Sequence, residues 1–279
     1  MILSFGPDRG GLGPLALALS LPSVVALACY VAASLHSDRF SAALRKVFFI
    51  GWIAHGASLV IDIAGVGSGV AGARFGFAPA LSITLWLVIA VYEFEARIVP
   101  MPGARRALAA CGLVVVVLAW LYPGQVVAHA ASIWAPLHWL LGIASYGLFG
   151  VAVLHALLLN RAEQRMRRTG LGTDLPAEGL PLLRLERLTF RFVAAGFVAL
   201  TAAIVLGAWF ADPWRWDHKA VFSILGWLVF AGLLAGRRAF GWRGPTATRV
   251  VHAGAALLLL AYVGSRFVLE VVLHRLPSA

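Results

Sequence analysis

Charge is what this chain has least of. Of its 279 residues, 13% are charged and 61% are hydrophobic, whereas a soluble domain carries about 25% charged residues. Such a chain cannot dress a water-facing surface. A soluble globular fold is excluded, and little length is left for a soluble domain. Cysteine is nearly as scarce: Cys29 and Cys111 both sit inside apolar runs, and there is no Cys-x-x-Cys. A disulfide scaffold, a thioredoxin-like redox motif and covalent haem attachment to this chain are excluded with it. Both thiols read as small core residues. Walker, dinucleotide-fingerprint, His-Glu-x-x-His and Ser-His-Asp patterns are also missing, which removes the common nucleotide-dependent, zinc-protease and acyl-transfer chemistries.

Apolar sequence is abundant instead, with a mean hydropathy of +0.88. Eight runs approach the ~20 residues that a spanning helix needs: 14–35, 47–67, 77–96, 104–121, 136–159, 188–210, 219–236 and 249–273. The expected fold is all-α, a polytopic integral membrane protein with about eight transmembrane helices. The leader carries Asp8 and Arg9 rather than a basic segment, so the first run reads as a span and not as a cleaved signal. The net charge of +11 belongs to topology; no nucleic-acid partner is read from it. Seventeen of the 23 Lys and Arg residues fall in one set of alternate loops, around Arg39–Lys46, Arg97–Arg106, Arg161–Arg191 and Arg237–Arg249, and six in the other. The positive-inside rule puts the seventeen in the cytoplasm. Both termini then face outward, across a bacterial cytoplasmic (inner) membrane. The longest loop, 160–187, is basic and is broken by Gly170, Gly172, Pro176, Gly179 and Pro181. It reads as a helix extension, a turn and a short interfacial helix that grips anionic lipid.

Aromatics concentrate in one stretch. Residues 209–227 read WFADPWRWDHKAVFSILGW and hold Trp209, Trp214, Trp216 and Trp227, four of the ten tryptophans. A short outer loop seldom needs so many rings. The stretch reads as one wall of a site for a large, flat, anionic ligand, for which haem is the best fit. The indoles would stack on the porphyrin, and Arg215 and Lys219 would answer its propionates. Depth then sorts the eight histidines. His252 and His274 are 22 residues apart on one span, about 33 Å of rise, and His138 and His155 are separated by about 26 Å; neither pair can share an iron. His138 opens the fifth span and His274 closes the eighth, both at the outer surface, so these two imidazoles can clamp one haem. Taken singly, His138 also reads as an aromatic-belt residue beside Trp134 and Trp139, and His274 as an interfacial residue. His55 lies inside the second span, where an ionisable group is a functional suspect or is hydrogen-bonded to a neighbouring helix. Arg266 and Glu270, four apart on the last span, read as an ion pair. Asp62 has no obvious local partner.

These residues resemble a known family, the haem-handling cytochrome c assembly membrane proteins of the CcsA/CcmC and HemX-like type. The family's outer loop runs approximately W-x-W-D-P-K-x-x-x-S-L-x-x-W, and Trp214, Trp216, Asp217, Lys219, Ser223 and Trp227 stand at matching spacing. His218 and Ala220 stand where the pattern has proline and often glutamate, and the loop after Gly207 is shorter than the family's. The fifth span is similar to the family's histidine followed eight residues later by tyrosine, here His138 and Tyr146. The last span, with Tyr262, Gly264, Phe267, Leu273 and His274, is similar to the family's Y-x-G-x-x-F…L-H. The likeness covers roughly residues 75–279. It divides the chain into N-terminal helices (1–74) and an assembly-like membrane domain (75–279) with the outer loop at 209–219.

The resemblance implies noncovalent, b-type haem bound at the outer face for export, presentation or delivery in c-type cytochrome biogenesis. Its axial ligands would be His138 and His274. Trp209, Trp214, Trp216, Asp217, Trp227, Arg215, Lys219 and Tyr146 would surround the ring, and His55 with His252 would form a possible second site. No catalytic residue of its own is read from the chain, which would serve as part of a haem-attachment system. An apocytochrome c or assembly partner must supply the Cys-x-x-Cys-His. Two other readings stand beside it: a haem-free membrane adaptor or regulator of tetrapyrrole supply, and a small-solute transporter with a polar path through Asp62, His55, Arg266 and Glu270.

Overall fold

The computed structural model describes residues 14–36, 41–66, 73–97, 101, 103–127, 134–169, 182–210 and 216–273. Eight helices long and apolar enough to cross a membrane are found there, which makes the chain an all-α polytopic membrane protein. Lipid offers no hydrogen bonds, so a spanning segment must satisfy its own backbone, and the helix does that within one stretch of chain. In order they are α1 (Pro14–Leu35), α2 (Ser41–Ile63), α3 (Phe77–Glu95), α4 (Ala104–Leu121), α5 (Ala135–Thr169), α6 (Leu182–Phe210), α7 (His218–Phe240) and α8 (Gly244–Leu259). Beyond Leu259 the last span continues through a π-wound turn (Leu260–Gly264), a short α segment (Ser265–Phe267) and a second π-wound turn (Val268–Val272).

The helices group as two four-helix sets. One closes through α1–α2, α2–α3, α3–α4 and α1–α4 contacts, the other through α5–α6, α6–α7, α7–α8 and α5–α8, and α3 lies along α5 to join them. A packing boundary therefore does not fall at residue 74, where the sequence suggested a division. Large apolar side chains such as Ile53, Val60, Val198 and Leu228 point outward, as lipid-facing residues do. Between helices the association comes from close packing, since lipid is as apolar as leucine. Gly254 makes the point: a Cβ there would stand 2.7 Å from Phe230 Cζ. Phe230 in turn stacks on Phe149 at 3.9 Å, across the middle of the second set.

Two short strands, β1 (Ala73–Phe75) and β2 (Gln125–Val127), pair antiparallel with Ala73 opposite Val127 and Phe75 opposite Gln125. They tie the loops after α2 and α4 together. At the basic loop α5 runs on to Thr169, the helix extension expected, while residues 182–187, expected to be interfacial, are the opening turns of α6; residues 170–181 lie outside the described residues. There Glu186 lies 3.6 Å from both Arg237 and Arg243.

Candidate functional site

At one end of the second set, α5 and α7 begin and α6 and α8 finish; this is called the site end below. His138 lies in the first turns of α5. Its Nδ1 is 2.9 Å from the Ala203 carbonyl oxygen on α6. A carbonyl can only accept, so Nδ1 carries the proton and Nε2 keeps the lone pair through which an imidazole binds metal. A backbone carbonyl holding the remote nitrogen in this way is the usual means of orienting a metal-binding histidine. The ring fits because residue 207 is glycine: a Cβ there would stand 2.8 Å from His138 Cε1.

The helices around that imidazole are tied at several levels. Between α5 and α8, Thr248 donates to Asn160 at 3.0 Å, and the Tyr146 hydroxyl donates to the Leu258 carbonyl. Between α7 and α8, Gly226 packs on Leu258 and Phe230 on Gly254. At the site end His138 meets Gly207, and Lys219 is within electrostatic reach of both His138 and Arg266; His138, Gly207, Lys219 and Arg266 are so joined in one layer. Lys219 Nζ lies 5.8 Å and Arg266 Cζ 5.9 Å from the Tyr262 ring centroid.

Local structure fixes the members of this layer. Asp217 is the N-cap of α7 and accepts the Ala220 N–H at 2.7 Å, which satisfies an orphan donor of the first turn and holds Lys219 in that turn. Tyr146 meets α8 where it passes from α to π winding, and a side-chain donor entering the helical ladder accompanies such departures. Glu270, in the second π turn, accepts the Phe77 N–H and lies 3.1 Å from the Cβ position of Gly76. It thereby places a carboxylate at the N-terminus of α3.

The predicted site residues divide unevenly. Trp209 and Trp216 are 84% and 71% exposed. Trp227 belongs elsewhere: its indole N–H donates to Thr201 at 2.8 Å and its ring stacks on Phe197 at 5.3 Å. It pins α7 to α6 nine residues inside the helix, about 13 Å below the loop, and is not part of a loop platform. Trp214, Arg215 and His274 lie outside the described residues. His55 and His252 are not brought together. His55 is buried with Nδ1 on Tyr30 (3.1 Å) and Nε2 on Ser82 (2.7 Å), in the α1–α2–α3 seam. His252 donates Nδ1–H to Thr248, and its Nε2 is buried with no hydrogen-bond partner among the described residues. Of the residues in the transporter reading, Arg266 and Glu270 are within electrostatic reach of each other, whereas His55 is bonded to Tyr30 and Ser82.

Two features escaped the sequence. Glu95, at the end of α3, lies 2.9 Å from Nε2 of the fully buried His155, whose Nδ1 donates to Val151. Both outer atoms are acceptors unless one proton lies between them, so the pair is neutral as a unit and couples α3 to α5. Arg266, read as a partner of Glu270, is within electrostatic reach of it and also of Lys219, a neighbour that its spacing did not suggest. Among the described residues no group of three or more His, Cys, Asp or Glu is arranged to hold a bare metal ion. A groove between α2 and α3, lined by Ile53, Gly56, Val60, Ile63 and Trp86, lies apart from the layer; it is apolar and offers nothing to an anion.

Comparison with known proteins places this geometry in context. The family model described as cytochrome C assembly protein matches residues 40–273. The inner membrane protein YpjD of Escherichia coli (strain K12) is 32% identical over 167 residues, 58% of this chain and 63% of that protein. The cytochrome c biogenesis protein CcsA of Synechococcus sp. (strain RCC307) is 29% identical over 158 residues, 48% of this chain and 51% of that protein. The alignments thus span between half and two thirds of these relatives' length. No solved structure matches the chain.

Proposed function

The chain belongs to the cytochrome c assembly protein family, and on that premise we propose that it binds haem noncovalently at the site end and presents it for c-type cytochrome biogenesis. The site end faces outward in a bacterial inner membrane, as the distribution of basic loops and the name of the relative YpjD support. One observation carries the reading: the Ala203 carbonyl accepts the Nδ1–H of His138, which sets the ring's orientation and the tautomer in which Nε2 is the nitrogen that can ligate iron. His274 would supply a second ligand, Trp209, Trp214 and Trp216 would pack on the ring, and Lys219 would meet an acid side chain. Bound haem would supply the iron and the electrophilic vinyl groups. This chain's own part is to orient, shield and release it, because the thiols that capture haem belong to an apocytochrome c partner.

An absorption spectrum of the purified protein tests the reading. A Soret band is expected, and His138→Ala and His274→Ala should each shift it or lower its yield. If the double substitution leaves position and yield unchanged, these histidines are not the ligands.

A further inference from the structure

We propose that one outward face of α6 is a seat for an anionic phospholipid, with the phosphate held by Arg184, Arg187 and Arg191 and an acyl chain lying along Val198 and Val205. The proposal is independent of the haem reading and concerns the other end of the bundle.

Helix geometry makes the face. At about 100° per residue, positions 184, 187, 191, 198 and 205 fall within about 60° of one another. The three arginines are exposed, and Val198 and Val205 are 68% and 60% exposed. Leu185, Thr189 and Val193, on the far side of the same turns, are buried against the bundle. No acidic residue stands among the described residues of the outward face. Glu186 is turned towards α7 instead, where it lies 3.6 Å from both Arg237 and Arg243. One carboxylate already shared by two guanidiniums has nothing left for a third. None of Arg184, Arg187 and Arg191 forms an ion pair with a described residue. The first turn of α6 also lacks an acidic residue, so the positive end of the helix adds to the charge of the arginines.

The change of character along the face points to the ligand. From Arg184 to Arg191 the helix rises about 10 Å, and Val198 stands about 10 Å further on, within the depth of one leaflet of a hydrocarbon core about 30 Å thick. A face that is cationic at the membrane surface and aliphatic below it matches a molecule that is anionic at one end and aliphatic at the other. Guanidinium forks pair with phosphate oxygens two at a time, and clustered arginine at a membrane surface attracts anionic lipid. A soluble phosphate would use the arginines and leave the valines idle. An acidic protein segment outside the bilayer would reach the first and not the second. The lipid grip expected of the basic loop thus falls to one face of one helix.

The test titrates delipidated full-length protein in detergent with phosphatidylglycerol and with phosphatidylcholine of the same chains, and counts bound lipid by native mass spectrometry. Wild type is expected to bind phosphatidylglycerol at least about tenfold tighter. With Arg184→Gln, Arg187→Gln and Arg191→Gln combined, the two affinities should fall within about twofold of each other. The corresponding triple Arg→Lys variant keeps the charge and should keep a preference, which separates loss of the seat from a folding defect. A second triple, Arg45→Gln, Lys46→Gln and Arg97→Gln, removes the same charge from the α1–α4 set and should leave the preference intact. Glycerol phosphate at the lipid's own concentration should displace nothing. Equal binding of the two lipids by wild type, an undiminished preference in the first triple, or an equal loss in the second overturns the seat. Displacement by glycerol phosphate makes it a soluble-phosphate site and the proposal wrong, as does an acidic protein that co-purifies with wild type and not with the first triple while lipid binding stays the same.

Discussion

His138 is held by a carbonyl on one side and by the absence of a side chain on the other. That makes Gly207 the position where a single methyl should matter most. Gly207→Ala puts a carbon 2.8 Å from His138 Cε1. The ring must swing off the Ala203 carbonyl or α5 must part from α6, at a cost of about 1–3 kcal/mol, as for other overpacked contacts. The expected result is a protein that still folds but carries a shifted or weakened Soret band, read by absorbance at equal protein concentration. His138 was legible because a histidine at the mouth of a span is conspicuous. Gly207 was not, since nothing in the sequence says which glycine faces which ring. The Glu95–His155 bridge was half legible: the run 77–96 closes on two glutamates, Glu93 and Glu95, but the histidine that answers one of them lies 60 residues away. Removing one member strands the other in the bundle, with a cost of about 3–5 kcal/mol. Glu95→Leu and His155→Leu should each lower the thermal midpoint in detergent. The double variant should lose less than the sum of the two, because no unpaired polar group is left behind.

Among elements, α7 shows how a motif can be matched and its roles still be mixed. The W-x-W-D…W spacing joins a loop to a helix. Asp217 caps the helix, Lys219 sits in its first turn, and Trp227 is a buried pin in the α6 seam. Spacing alone cannot separate those duties, because it does not show where the loop stops. If Asp217 acts as a cap, Asp217→Asn should be almost silent and Asp217→Ala should cost about 1 kcal/mol, seen as a lower melting temperature and weaker haem retention together. If a negative charge on the ligand side is what matters, Asn and Ala would fail alike. The last span teaches a related lesson. Its apolar run was plain, but its π winding was not: Glu270 reaches the Phe77 N–H of α3 while staying within electrostatic reach of Arg266, a contact between helices that i, i+4 spacing could not show. Helix ends also moved where polar turns extend a span: α2 starts at Ser41 and α5 reaches Thr169, since a helix does not end where hydropathy does.

At the scale of the whole molecule, the two four-helix sets divide the labour. The α1–α4 set uses its buried polar residues on itself, in Tyr30–His55–Ser82 and in the reciprocal bonds between Trp52 and Trp86, each indole N–H donating to the other's carbonyl at 3.1 and 3.0 Å. The α5–α8 set turns imidazole, ammonium and guanidinium towards one layer. The number of spans was readable from hydropathy because lipid imposes it; the layer was not, because it comes from helix registers fixed by contacts between distant residues. What the layer does depends on which side of the membrane it faces. The positive-inside rule, applied to the seventeen basic residues of alternate loops, predicts that the opposite end, with Arg237, Arg238 and Arg243, is cytoplasmic. A cysteine replacing Trp216 should therefore react with a membrane-impermeant maleimide added to intact spheroplasts, and one replacing Arg243 only after permeabilisation, in a background where Cys29 and Cys111 are alanine. The reverse pattern would put His138 on the cytoplasmic side. Haem would then be received there rather than presented outside, and the same four residues would mark the point of entry instead of the point of delivery.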